Sequence, residues 1–304
     1  MTRSRTQPEK NCKDCRGQHY VLKNPAGRVQ AEICACFQCE ICGGRGQVFA
    51  EDETGVSFMR ACECAGLKKR LDSFNNANLP GKYLETQFDT YHPIGSQANK
   101  LALKTARDFV KDFEQKPQSG LLFMGTPGVG KTHLAVSILK ALLLEKGVNG
   151  KFIDFFQLLS DIRHGYSQDL SEQAIINPFV HAPVLVIDEL AKGRNTEWEL
   201  TMLDQIISNR YNAADKVTIF TTNYTDEVSE PGHKKKSKDT HVEFSRNDAS
   251  RSWAGEETLE DKVGDRIFSR LAEMCRFVKM EGDDFRRSMA GKSSPRSSGP
   301  GKKH

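Results

Sequence analysis

Apolar residues follow a different spacing in each of three stretches of this chain. Between residues 80 and 280, short apolar runs alternate with helical periodicity. Leu103, Ala106, Phe109, Val110 and Phe113 recur at helical spacing and predict a helix over 99–114. Gly120 leads into the apolar run Leu121-Leu122-Phe123-Met124, expected as a strand, and a helix is predicted from about Lys131 to Glu145. Phe152-Ile153-Asp154-Phe155-Phe156, Val184-Leu185-Val186-Ile187 and Val217-Thr218-Ile219-Phe220 read as further strands, with a helix over about 196–211. The stripe Ile267, Leu271 and Met274 predicts a last helix from near Leu259, with Cys275 buried inside it. Apolar strands separated by helices imply an α/β fold whose mostly parallel sheet is covered on both faces.

The two flanking stretches lack this pattern. Residues 1–70 are rich in glycine and hold eight of the nine cysteines. Residues 286–304 are mostly Ser, Gly, Pro, Arg and Lys, with little to bury, and disorder is expected there. Between them, 229–262 is polar and charged, with Lys234-Lys235-Lys236 near its start, and reads as a solvated loop or as a DNA- or partner-contacting one. The six Arg and Lys of 286–304 exceed the net charge of +4, so the rest of the chain is net −2 and its core is not marked as a nucleic-acid binder. No apolar run approaches the roughly 18 residues that span a bilayer. The N-terminal residues carry no apolar segment behind their charges, so neither a secretory leader nor a membrane partner is expected, and the expected location is the cytoplasm.

Disulfides do not persist in that compartment, so the cysteines need another use. They form a repeat. Cys12 and Cys15 are followed after eighteen residues by Cys34 and Cys36, and Cys39 and Cys42 are followed after nineteen by Cys62 and Cys64. Each unit has a turn-rich centre, Asn24-Pro25-Ala26-Gly27 and Asp52-Glu53-Thr54-Gly55, suited to a hairpin tip. Four thiolates from two short knuckles fit a closed tetrahedral zinc site. The simplest pairing gives one structural Zn²⁺ to Cys12, Cys15, Cys34 and Cys36, and a second to Cys39, Cys42, Cys62 and Cys64. Four thiolates also suit an iron–sulfur cluster. The tight join at Cys36-Phe37-Gln38-Cys39 leaves crossed pairing open.

The segment Gly125-Thr126-Pro127-Gly128-Val129-Gly130-Lys131-Thr132 matches a phosphate-binding loop between a predicted strand and a predicted helix. Glycines let backbone N–H groups face phosphates, Lys131 would meet the β- and γ-phosphates of ATP, and Thr132 can place its hydroxyl on Mg²⁺. Asp188 and Glu189 end an apolar strand, where Asp188 can hold Mg²⁺ through water and Glu189 can orient or deprotonate the attacking water. Asn223 follows the next strand and either contacts the γ-phosphate or lytic water or caps the strand end. Arg266 and Arg270 share one helical face, either solvated or aimed at a neighbouring subunit's γ-phosphate.

These residues carry a family resemblance over about 80–287. The segments Gly125–Ala135, Val184–Leu190, Ile206-Ile207-Ser208-Asn209-Arg210-Tyr211, Thr221-Thr222-Asn223-Tyr224, Gly264-Asp265-Arg266-Ile267-Phe268-Ser269-Arg270-Leu271 and Gly282-Asp283-Asp284-Phe285-Arg286 resemble the AAA+ domain of bacterial helicase loaders of the DnaC and DnaI type. IstB-type transposition helper ATPases are close relatives. The resemblance implies a P-loop AAA+ three-layer sandwich preceded by a small zinc-binding domain. It implies ATP hydrolysis, single-stranded DNA binding, self-association and help in placing a replicative DNA helicase. By position, Asn223 resembles the first sensor, Arg270 the trans-acting finger with Arg266 close behind, and Arg286 the second sensor. The expected organisation is a partner-binding cysteine module over 1–70, a linker and start of the ATPase domain over 71–98, the ATPase domain over 99–287 with the insertion 229–262, and a basic tail over 288–304. A transposition helper acting on a transposase, and a zinc-dependent adaptor with regulatory ATP binding, remain alternatives.

Overall fold

A computed structural model of the chain describes residues 12–93, 96–113, 119–194, 196–213, 215–226 and 257–285. The basic tail, Arg286 and most of the 229–262 insertion lie outside the described residues.

Five parallel strands form the central sheet: β5 (Gly120–Gly125), β6 (Gly150–Asp154), β7 (Val184–Asp188), β8 (Val217–Thr222) and β9 (Cys275–Met280). Their order across the sheet is β6-β7-β8-β5-β9. Strands buried on both faces read as continuous apolar runs, and β5, β7 and β8 are buried along their whole lengths. Alternate residues supply two separate cores. Leu121, Phe123, Val184, Val186 and Ile219 face one side, where helices α2 (Gln97–Lys111) and α3 (Lys131–Leu144) pack. Leu122, Met124, Leu185, Ile187 and Phe220 face the other. That side is covered by α4 (Phe155–Tyr166), α5 (Glu172–Val180), α6 (Glu197–Ala213), α7 (Leu259–Val263) and α8 (Asp265–Met274). The result is the three-layer sandwich expected from the sequence, with its mostly parallel sheet.

The four predicted strands are present, and a fifth was not predicted. Cys275 is not in a helix. It begins β9, which pairs in parallel with the whole of β5, from Gly120↔Cys275 to Gly125↔Met280. The predicted last helix is two helices, because Gly264 with φ 79° breaks the run between α7 and α8. The predicted strand at 152–156 stops at Asp154, whose carboxylate accepts the Gln157 N–H at 3.1 Å and starts α4.

Both cysteine units are antiparallel hairpins. The first pairs β1 (Tyr20–Lys23) with β2 (Gln30–Ile33), and the second pairs β3 (Gln47–Glu51) with β4 (Ser57–Ala61). The predicted tips fall where expected. Pro25–Gly27 forms a single 3₁₀ turn, and Asp52 Oδ1 accepts from the Thr54 and Val56 amides at 2.9 and 3.0 Å. The two hairpins are placed differently. The first packs on helix α1 (Ala65–Asn75), which runs across position 70, and its Val29 and Ala31 are part of the α2/α3 core. Asn75 locks it there, accepting from the Ala31 amide at 2.7 Å and donating to the Ala31 carbonyl at 3.0 Å. The second hairpin exposes Phe49, Val56, Phe58 and Met59, and its only buried residues are Cys39, Cys42 and Cys62.

No helix among the described residues is long and apolar enough to cross a membrane.

Candidate functional site

The sheet order puts the carboxyl ends of β5, β7 and β8 side by side, where an open parallel sheet offers a ligand crevice. The loop after β5 curls over this edge and enters α3. Gly130 is the left-handed residue (φ 97°) that caps α3, and any Cβ there would collide with the Tyr91 ring. Gly128 has φ 83° and lies directly against Asp284, again leaving no space for a side chain. The loop therefore requires glycine at both positions, for conformation and for close approach.

Lys131 is buried, and its Nζ donates to the carbonyls of Gly125 and Thr126 at 2.7 and 2.8 Å. Thr132 Oγ1 donates to Asp188 Oδ1 at 2.7 Å, and Thr221 Oγ1 donates to the same oxygen at 2.6 Å. Thr221 Oγ1 also accepts the Glu189 amide at 3.0 Å. Burial pushes the Asp188 carboxyl above the usual carboxylate range, against the pull of the two threonine hydroxyls. Glu189 adopts φ 56°, a left-handed conformation that non-glycine residues keep where the surroundings impose it. Its carboxylate pairs with Lys192.

A cavity of about 390 Å³ joins these groups. Gly128, Gly130, Lys131, Thr132, Asp188, Glu189 and Asn223 all line it. The structure thus brings together most of the loop, the paired acids and Asn223. Thr126 turns aside, its hydroxyl donating to the Gly282 carbonyl at 3.0 Å. Backbone curled by glycine, a helix N-terminus, a lysine and an acid beside a threonine hydroxyl form a donor set that fits a magnesium–nucleotide.

Arg266 and Arg270 are elsewhere. On α8 they share Asp204 of α6, at 3.3 and 2.8 Å, and neither lines the cavity of its own chain. Arg270 also lies over the Tyr211 ring, 6.0 Å from its centroid.

Several cavity residues were not foreseen from sequence. Lys82, Tyr83, Thr86 and His133 are among its lining, which Pro127 and, from segments that carry the family resemblance, Thr221, Thr222 and Phe285 complete. Tyr83 Oη donates to Asp188 Oδ2 at 3.5 Å, and burial, then the charges of Asp188 and Glu189, push its phenol well above its usual range. No motif flags Tyr83, because it lies 105 residues from Asp188 in sequence.

The cysteines gather as the simple pairing anticipates. Cys12, Cys15, Cys34 and Cys36 form one cluster and Cys39, Cys42, Cys62 and Cys64 another, with ligand atoms within 4.8 Å of one another. Burial opposes ionisation of Cys42, yet the Gly46 amide and the neighbouring thiols bring it down to about 6. Cys15 falls to about 7 by the same balance, with Cys36 and the His19 amide prevailing over burial. The Gly46 N–H donates to Cys42 Sγ at 3.2 Å. A compact four-sulfur set with amides aimed at it can chelate a metal ion.

Sheet order, phosphate loop and strand-end acids define the class: this is a P-loop protein of the AAA+ ATPase type. The chain belongs to the IstB-like ATP binding protein family, which matches residues 68–228. It is 26% identical over 162 residues to the replicative helicase loader DnaC of Escherichia coli strain K12, a match spanning 53% of this chain and 65% of that protein, just under two thirds. It is 24% identical over 205 residues to the phage-like element PBSX protein XkdC of Bacillus subtilis strain 168, covering 64% of this chain and 74% of that one. Among solved structures it is similar to the DnaC helicase loader, with 30% identity, a TM-score of 0.50, and 66% of this chain and 99% of the other covered.

Proposed function

We propose that this chain is an ATP-hydrolysing loader that binds single-stranded DNA and helps place a replicative DNA helicase. The observation that carries the reading is the joining of the phosphate loop, Asp188, Glu189 and Asn223 in one cavity, in a chain similar to a helicase loader. Lys131 and the 125–132 backbone would hold the β- and γ-phosphates, and Thr132 and Asp188 would hold Mg²⁺. The bound nucleotide supplies the phosphoryl group. Glu189 accepts the proton of the attacking water, and Asn223 orients that water. Arg270, with Arg266 beside it, serves a neighbouring subunit, which requires both to leave Asp204. Arg286, outside the described residues, is retained as the proposed second sensor. Slow hydrolysis alone and faster hydrolysis with single-stranded DNA are expected.

The two cysteine clusters are read as structural Zn²⁺ sites, since four thiolates leave no position open for catalysis. The second hairpin's exposed Phe49, Phe58 and Met59 favour it as the surface that meets the helicase.

Two measurements test this reading. Lys131→Ala should abolish ATP binding and hydrolysis, and full activity in that variant would refute the site. Capture experiments with the full chain should recover a replicative helicase. Recovery of a transposase instead would replace the loader reading with that of a transposition helper.

A further inference from the structure

Asp188 is held on both oxygens, but by different parts of the chain. Oδ1 takes the hydroxyls of Thr132 and Thr221, both belonging to the sheet edge and phosphate loop. Oδ2 faces Tyr83 Oη at 3.5 Å. Tyr83 belongs to neither. It sits on the segment 77–84, which leaves α1 and runs under the first cysteine hairpin.

That segment is fastened at both ends. On the hairpin side, the Val29 amide donates to the Leu79 carbonyl at 2.9 Å and Arg28 donates to Asn78 Oδ1 at 2.7 Å. Arg28 also forms a bridge with Pro80. Gly81 lies directly against the Asn24 side chain at the hairpin tip. On the ATPase side, Lys140 of α3 donates to the Tyr83 and Leu84 carbonyls at 3.3 and 2.9 Å. The Phe152 amide of β6 donates to the Ala77 carbonyl at 2.8 Å, and the Tyr83 ring packs edge-on against Phe152, centroids 5.7 Å apart. A single residue, Lys82, thus separates the glycine under the hairpin tip from the phenol on Asp188.

We propose that Tyr83 is a positioning residue for Asp188 and that its segment couples the nucleotide site to the first cysteine hairpin. The inference rests on the reading that Asp188 holds Mg²⁺. A hydroxyl donated to Oδ2 fixes the carboxylate plane that the two threonines leave free to pivot about Oδ1. Whatever Mg–nucleotide does to Asp188 is felt at Tyr83, and through Leu79, Pro80 and Gly81 at residues 24–31. Linkage makes this reciprocal: order in the hairpin must favour Mg–nucleotide by the same factor by which Mg–nucleotide favours hairpin order.

The test uses the full chain and Tyr83→Phe, which keeps the ring on Phe152 and removes only the hydroxyl. A fluorescent ATP analogue reports nucleotide binding, and amide hydrogen exchange reports order at residues 28–31. The Mg²⁺ concentration that half-saturates nucleotide binding should rise about fivefold in Tyr83→Phe, the low end for a site-to-site coupling and well beyond any change in binding in excess EDTA. Mg–nucleotide should slow exchange at the Val29 and Ala31 amides of the wild-type chain, and this protection should be missing in Tyr83→Phe. Equal Mg²⁺ midpoints, or equal protection in the two proteins, would overturn the proposal. The wild-type arm needs no variant, since absence of protection on adding Mg–nucleotide overturns the coupling by itself. A wild-type chain that binds no nucleotide sinks the ATP reading along with it, whereas normal binding with an indistinguishable Tyr83→Phe removes the Tyr83 inference alone.

Discussion

Replacing Arg210 by methionine tests whether one buried cation holds the second core to the sheet. Arg210 lies on α6 and is 1% exposed. Five neutral acceptors hold its guanidinium. Nε donates to Thr218 Oγ1 at 2.8 Å and NH2 to the Val217 carbonyl at 2.7 Å, both on β8. NH1 donates to the carbonyls of Phe179, Val180 and Ala182 at 2.9, 3.1 and 2.7 Å, which satisfies the C-terminal end of α5. Burial has pushed its pKa down to about 10, so the charge sits at a cost that the carbonyl dipoles offset. Methionine fills much of the volume and donates nothing. Each acceptor left buried without a donor costs about 1–3 kcal/mol, and relief from burying the cation returns part of that total. The expected loss is about 3–5 kcal/mol, a large share of the roughly 5–15 kcal/mol that stabilises a domain. Arg210→Lys keeps the charge but not the planar fork, and should fall between the two. Urea unfolding followed by far-ultraviolet circular dichroism measures this. A Met variant within about 1 kcal/mol of wild type would refute the reasoning, because surface substitutions alone reach half that.

Three further outcomes are expected. Arg270→Ala should lower the ATPase rate by about 10³-fold if the residue acts in trans, and mixing it with Lys131→Ala should restore activity that neither variant has alone; no recovery in the mixture would sink the trans assignment. Lys140 is buried and burial brings it down to about 8, against roughly 10.4 in an unfolded chain, so the folded state holds fewer protons between those values. Its contribution to stability is therefore worst below pH 8 and improves by about 3 kcal/mol as pH rises to 10.4, a slope that Lys140→Met should remove from pH-dependent unfolding curves. Cys34→Ser should lower the melting temperature of the ATPase domain, because the first hairpin shares its core. Cys62→Ser should release the second hairpin to proteolysis and leave that melting temperature in place.

The phosphate loop was legible because its constraints are local. Left-handed glycines, a strand before and a helix after leave a trace in any single sequence. The same holds for Asp188 and Glu189, delivered by an apolar run. Strand β9 was not legible. Cys275-Arg276-Phe277-Val278-Lys279-Met280 follows α8 with no breaking residue, and the apolar stripe of that helix runs on into it. Only the open edge of β5, which the chain meets 155 residues earlier, makes that segment a strand. Distance in sequence also hid Tyr83 and Asp204. Tyr83 meets Asp188 from 105 residues away, and Asp204 meets Arg270 from 66 residues away. The cysteine pairing was legible in part: the repeat gave two sets of four, and only the fold removed the crossed alternative.

The two hairpins also show how one ligand pattern acquires two physical roles. A two-stranded ribbon is at best marginally stable by itself, so each unit depends on something besides its ladder. The first has two supports, its four-sulfur cluster and the core it enters through Val29 and Ala31. The second has no buried side chains except its cysteines, while Phe49 is 78% exposed. Metal removal should therefore act unequally on the two units. The first unit would lose one support of two and stay tethered through Asn75 and Leu79, whereas the second would lose its fold together with the apolar surface it displays. A chelator titration that unfolds both hairpins at one concentration, with ATPase stability falling in step, would show that the core contacts of the first unit contribute nothing independent of its metal.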